Sequence, residues 1–175
     1  MFSMLERGEK EDNINTNGEK IMDKNDVILT LREAARTHKQ WVADALALIQ
    51  GVPLDKEKVP VNSTECAFGK WYYGEGQNLR ELQGFKEIEV SHDKLHKIYM
   101  EIFAIIFGEV QGASFFNRLF GLSHKIATAN REAAMEKFHS LEQQSDVIIN
   151  QLVFLEKIVT ALGEKQLEKY GLKLD

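Results

Sequence analysis

The sequence predicts an all-α fold, a four-helix bundle with a short extra helix that carries a cysteine motif. Three observations predict it. Apolar residues recur at alternating steps of three and four along three long stretches, the repeat of one buried helix face. The apolar–polar alternation of a half-buried strand is absent. The only two prolines, Pro53 and Pro60, both fall between the first two helical patterns, where they break nothing.

Residues 1–23 are expected to form a flexible leader, because Asn13, Asn15, Asn17 and Gly18 interrupt any helix and no apolar stripe repeats there. The first helix is expected from about residue 24 to 50, with the seam Ile28, Leu31, Ala35, His38, Val42, Ala45 and Ile49. Gly51 and Pro53 stop it. Asn62 to Glu65 has the pattern of a capping box, with Asn62 as cap, and a short helix should follow as far as Tyr73. Cys66 then falls in the first turns, where free backbone N–H groups favour a thiolate. Gly74 and Gly76 end that helix, and a further helical turn or two is expected before Gly84.

A third helix is expected over about residues 85–110, with Phe85, Ile88, His92, Leu95 or His96, Tyr99, Phe103, Ile106 and Val110 inward. The stretch 108–130, rich in Phe and Gly, is expected to be an insertion that packs on the bundle or on a partner. The last helix is expected over about residues 123–162. Its seam is Ala134, Phe138, Leu141, Ser145, Ile148, Leu152, Leu155, Val159 and Leu162. A helix of that length is near 60 Å at ~1.5 Å per residue, longer than a small bundle is tall, so it either breaks near Asn130 or extends to pair with a partner. Gly163 caps it. Residues 163–175 are expected to be a charged, fraying tail, leaving residues 24–162 as the domain.

The totals narrow the function. The chain has 175 residues, 43% hydrophobic and 28% charged, with a net charge of −5. That suits one globular domain with extensions and argues against nucleic acid, whose phosphates call for a basic face. No apolar run approaches the ~20 residues that cross a bilayer. The longest, residues 98–107, contains Glu101. No secretory signal opens the chain, and a soluble cytoplasmic protein is expected. One cysteine excludes an internal disulfide.

Chemistry concentrates in few residues. The single cysteine, Cys66, opens the run Cys-Ala-Phe-Gly-Lys-Trp-Tyr-Tyr. His92 and His96 lie one helical turn apart, on the same face, and His38 occupies a core position of the first helix. A histidine on an apolar face is commonly a hydrogen-bonded core residue, and a lone cysteine commonly a small buried hydrophobe. The combination argues otherwise. Three of the five histidines fall on inward seams, and burying three imidazoles without partners is unfavourable. Zinc accepts a tetrahedron of mixed nitrogen and sulfur donors. His38, Cys66, His92 and His96 are therefore the candidate metal ligands. With four protein donors no position remains for an activated water, so no catalytic residue is assigned and no enzyme activity is expected. His124 and His139 fall off the seams and are expected to face solvent.

These residues resemble the chemoreceptor zinc-binding (CZB) domain family: a histidine on the first helix, the Cys66-x-Phe68-Gly69-x-Trp71-Tyr72 core, and the His92-x-x-x-His96 pair. The resemblance covers about residues 24–162 and is strongest from His38 to His96. It implies that the four donors bind zinc and that the chain is a cytoplasmic bacterial regulatory bundle, usually a homodimer. It further implies a chemoreceptor or a diguanylate cyclase as signalling partner, with zinc occupancy or oxidation of Cys66 by species such as hypochlorous acid as the signal. Phe68, Gly69, Trp71 and Tyr72 would pack around the ligands and hold the cysteine segment. Neither a cyclase signature nor a receptor signalling hairpin occurs, so the chain is expected to be a stand-alone version.

Two other classes remain in view. A hemerythrin-like iron bundle also uses His-x-x-x-His, but it needs inward bridging carboxylates, and Glu101 and Glu109 lie off the seam. A zinc hydrolase would need Cys66 released from the metal and Asp93 or Glu65 as base.

Overall fold

In the computed structural model, residues 21–52, 62–107 and 128–174 are described. The expected leader up to residue 20, the loop 53–61 with both prolines, residues 108–127 of the expected insertion, Val110 and His124 lie outside them.

The architecture is the all-α bundle that the seams predict. Three long helices are present among the described residues: α1 (Lys24–Ile49), α3 (Phe85–Phe107) and α4 (Thr128–Ala161). The short α2 (Ala67–Tyr73) and a 3-10 turn (Glu75–Leu79) separate α1 from α3. Beyond α4 come α5 (Glu164–Lys169) and strand β2 (Leu172–Lys173), which pairs with β1 (Met22–Asp23) ahead of α1.

α4 is the spine. It packs along both α1 and α3, which meet each other far less extensively. Arg32 bridges from α1 to Glu156 at 2.7 Å, and Lys137 of α4 bridges to Glu101 of α3 at 2.5 Å. These pairings run α4 antiparallel to both, so α1 and α3 are parallel. Every position of the predicted α4 seam, from Ala134 to Leu162, is buried. The helix continues unbroken through Asn130 for 34 residues, about 51 Å at 1.5 Å per residue.

α1 is rotated slightly from the expected seam. Leu31, His38, Ala45 and Ile49 are buried as predicted, together with Val27, Ala34 and Leu48, whereas Ile28, Ala35 and Val42 are only half-buried. A stripe this broad follows from packing α4 on one side and the cysteine segment on the other. Asp23 caps the helix, its carboxylate accepting from the backbone N–H of Asn25 at 2.6 Å and of Asp26 at 3.2 Å. Gly51 takes the left-handed φ of +89° that closes it.

Residues 163–174 pack against the bundle instead of forming an open tail. Gly163, expected to end α4, precedes α5 in extended conformation. β2 lies parallel to β1, with Met22 opposite Leu172. Lys24 Nζ donates to the carbonyls of Thr160 and Leu162 at 2.8 and 3.0 Å, satisfying acceptors left free at the end of α4. Leu167 and Leu172 are buried at 2% and 3% exposure. The charges that suggested a tail lie on the outer face of an amphipathic turn. Leu167→Ala should lower stability by about 2–4 kcal/mol, read as a drop in thermal midpoint. An unchanged midpoint would mean that the terminal clasp contributes nothing.

Candidate metal centre

Cys66 is the residue that α2 starts on. Its backbone is extended (φ −66°, ψ 159°), and its Sγ accepts from Gly69 N–H at 3.1 Å, so the sulfur itself is the N-cap. This corrects the capping-box reading. Asn62 to Glu65 instead form a turn, with Glu65 and Cys66 N–H donating to Asn62 O at 3.1 and 3.3 Å. A serine or aspartate oxygen usually takes the cap role. Here the sulfur does so, and the cap geometry fixes where it points.

One contact holds the preceding turn against α3 and a second ties it to Cys66. Ser63 Oγ donates to the carboxylate of Asp93, the residue following His92. Ser63 O in turn accepts from the Cys66 thiol at 3.4 Å. The backbone of Ser63 passes so close to α2 that a Cβ on Gly69 would stand 1.8 Å from Ser63 O. Gly69 is therefore required by close approach. Sequence reasoning assigned Gly69 a supporting role without its cause, and it weighed Asp93 only as a catalytic base.

The four predicted donors converge. The ligand atoms of His38, Cys66, His92 and His96 all lie within 4.8 Å of one another. His92 Nε2 is 3.2 Å from His96 Nε2 and 3.4 Å from Cys66 Sγ. Around a tetrahedral zinc with bonds of about 2.0–2.1 Å to nitrogen and about 2.3 Å to sulfur, neighbouring donors sit about 3.3 Å (N···N) and about 3.6 Å (N···S) apart. The two distances at His92 Nε2 are close to this spacing.

Protonation is also right for a metal. Burial pushes His38 down to about 4, against a smaller opposing effect of the Ala34 carbonyl. His92 falls to about 3 through burial and then through His38 and His96. His96 falls to about 4 through burial and His38, with Asp93 opposing. All three are neutral near pH 7, the form that ligates. His38 Nδ1–H donates to Ala34 O at 2.6 Å, which leaves Nε2 as a bare lone pair. That Nε2 is buried without a hydrogen-bond partner. Orphaned acceptors of this kind are rare in a packed interior, and a cation is the partner that fits. Burial raises the Cys66 thiol, partly offset by the N–H groups of Gly69 and Phe68 and by Lys70. The thiol alone would thus stay protonated near neutrality, whereas a bound divalent cation would hold it as thiolate.

Aromatic rings wall the site. Phe68 stands edge-on to His92 at 5.1 Å and to His38 at 5.9 Å. Tyr72 stacks on Phe85 at 4.4 Å and 9°, and its hydroxyl donates to Phe85 O at 3.1 Å, pinning α2 to the start of α3. Trp71 is half-buried and packs on Phe68 at 5.8 Å. Trp41, which sequence reasoning missed, meets His38 at 5.0 Å and His96 at 4.9 Å. Its signal was available, since it lies three residues beyond His38 on the same helical face. Gln144 of α4 was also missed; it donates to Ser91 O at 3.1 Å, beside His92. His139 is exposed, as expected, beside Glu142.

The described residues thus define a helical bundle with a buried three-nitrogen, one-sulfur metal centre, the donor set and spacing of a zinc site. Residues 38–103 match the family model described as the chemoreceptor zinc-binding domain. The matched stretch holds all four donors and ends within α3. No curated protein and no solved structure matches the chain.

Two tests follow from this geometry. Gly69→Ala should displace the Ser63 backbone and with it Cys66, lowering both bound zinc and stability, the latter by about 2–3 kcal/mol. Full zinc occupancy with an unchanged thermal midpoint would contradict the close approach. The pH dependence has a defined sign. The folded-state histidine values lie below the ordinary 6.5, so the unfolded chain binds protons more readily. Their contribution to the stability of the metal-free fold is whole above pH 6.5 and is lost as pH falls from 6.5 towards about 4. Thermal midpoints of metal-free protein across that window should begin to drop above the range where carboxylates titrate. A flat profile down to pH 5 would count against buried neutral imidazoles.

Proposed function

We propose that this protein is a zinc-dependent sensory domain, not an enzyme, whose signal is zinc occupancy or oxidation of the zinc-bound Cys66. The observation that carries the proposal is the buried four-donor set drawn from three separate segments. His38 stands on α1, Cys66 on the cap of α2, and His92 and His96 on α3. When bound, zinc supplies the positive charge that stabilises the Cys66 thiolate and joins the four side chains. The chain's residues do the rest. His38 and the α3 pair couple two helices that otherwise meet little, and Cys66 couples both to α2. Four protein donors fill a tetrahedral shell, which leaves no place for a hydrolytic water. Among the described residues the converging group contains no carboxylate, which disfavours the di-iron alternative.

Cys66 is the natural point of control. A thiolate gives up two electrons to hypochlorous acid, gaining the hydroxyl while chloride leaves. The resulting sulfenic acid is a weaker donor. Losing one ligand of four frees the α2 segment and changes how α1 and α3 are held, a shift that a bundle transmits to a bound partner. The family match and these helices support a signalling partner of the chemoreceptor or diguanylate cyclase type, with the domain acting as a homodimer in the cytoplasm. No helix among the described residues is long and apolar enough to cross a membrane.

One equivalent of hypochlorous acid should release zinc from the wild-type protein, followed by a chromogenic chelator, while mass spectrometry finds Cys66 oxidised. Zinc that stays bound beside an intact thiolate would exclude oxidation as the signal and leave zinc occupancy.

A further inference from the structure

Cys66 is the only cysteine in the chain and is half-buried. A cleft of about 440 Å³ between α1 and α2 is lined in part by it. Ala34, Trp41, Phe68 and Trp71 line the cleft together with Cys66 and with His38, whose Nε2 is buried and unpartnered among the described residues. Thr37 and Ala67 lie on opposite walls, on α1 and at the start of α2. Among the described residues no Lys or Arg lines it, and the one carboxylate, Glu33, is already engaged by Arg36. The four donors with a divalent cation would carry one net positive charge, which Asp93, held beside them by Ser63, offsets.

We infer that this cleft is the entry route to Cys66 and that it selects small uncharged electrophiles over anionic ones. This rests on the redox reading of Cys66 and adds the class of oxidant. An anion entering the cleft leaves water for largely aromatic and aliphatic walls, with no cationic side chain among the described lining residues to receive it, which is unfavourable. A neutral molecule loses little. Hypochlorous acid itself, not hypochlorite, is then the competent form. The sulfur donates its electron pair, the hydroxyl is transferred and chloride departs, so that thiolate plus hypochlorous acid gives sulfenic acid plus chloride.

The test uses the zinc-loaded full chain and two thiosulfonates of like reactivity, neutral methyl methanethiosulfonate and its anionic sulfonatoethyl analogue. Each forms a mixed disulfide with Cys66 and expels methanesulfinate, read as a mass shift at the single cysteine. With rates normalised to free cysteine, the neutral reagent should react about tenfold faster, one such step being ~1.4 kcal/mol of barrier. Thr37→Phe and, from the opposite wall, Ala67→Phe should slow the neutral reagent severalfold with zinc stoichiometry intact, while Thr37→Val keeps the wild-type rate. Equal normalised rates for the two reagents, or unchanged neutral rates in both filled variants at full zinc content, would overturn the inference. Rapid neutral labelling of Cys66 with zinc retained would support the route and instead contradict oxidative zinc release.

Discussion

The constraint on which the structure turns is the gathering of three buried, neutral imidazoles and one half-buried sulfur at the meeting point of α1, α2 and α3. Nε2 of His92 lies within 3.4 Å of both His96 Nε2 and Cys66 Sγ, and Nε2 of His38 has no partner at all. A buried imidazole nitrogen without a partner loses its hydration with nothing in return. A divalent cation at the centre would give that nitrogen a partner and would be held by the other three donors as well. The interior is thus built for an occupant, and the pattern of protonation fits it, because each imidazole is held well below its ordinary value.

The surrounding fold places the donors with local devices. The α3 pair needs only helical spacing. His38 needs its Nδ1–H directed at Ala34 O, which fixes the tautomer, a familiar arrangement behind metal-binding histidines. Cys66 has the most demanding position, because it arrives from a turn. There the sulfur caps α2, Gly69 admits the Ser63 backbone, and Asp93 ties that turn to α3 beside His92. The same residue lines part of an apolar cleft. The donor held by the least secondary structure is therefore also the one that chemistry can reach.

The long helices and the donor set were legible in the sequence because both rest on periodicity. The α4 seam is read correctly at every position, and the four donors were found from seam membership and the cysteine's odd neighbourhood. What was hidden depends on contacts between distant segments. Cys66 as N-cap could not be read because Asn62 to Glu65 satisfies the usual cap pattern while using it for a turn. The reason for Gly69 lies in a backbone approach that no spacing encodes. Trp41, by contrast, was within reach, because it lies three residues beyond His38 on the same face, although off the steps of the seam. The clasp of Met22–Asp23 with Leu172–Lys173 joins residues at opposite ends of the domain, and two-residue strands carry no pattern of their own. The charged run before them concealed a helix whose buried side is the single residue Leu167.

The central claim is that His38, Cys66, His92 and His96 bind one metal ion together as a closed tetrahedron. X-ray absorption at the zinc edge of the purified, zinc-loaded protein tests it most directly. The account predicts three nitrogen scatterers at about 2.0 Å and one sulfur at about 2.3 Å, with the sulfur shell absent in Cys66→Ala. A wild-type spectrum with only nitrogen and oxygen neighbours, or with five or six ligands, would contradict it.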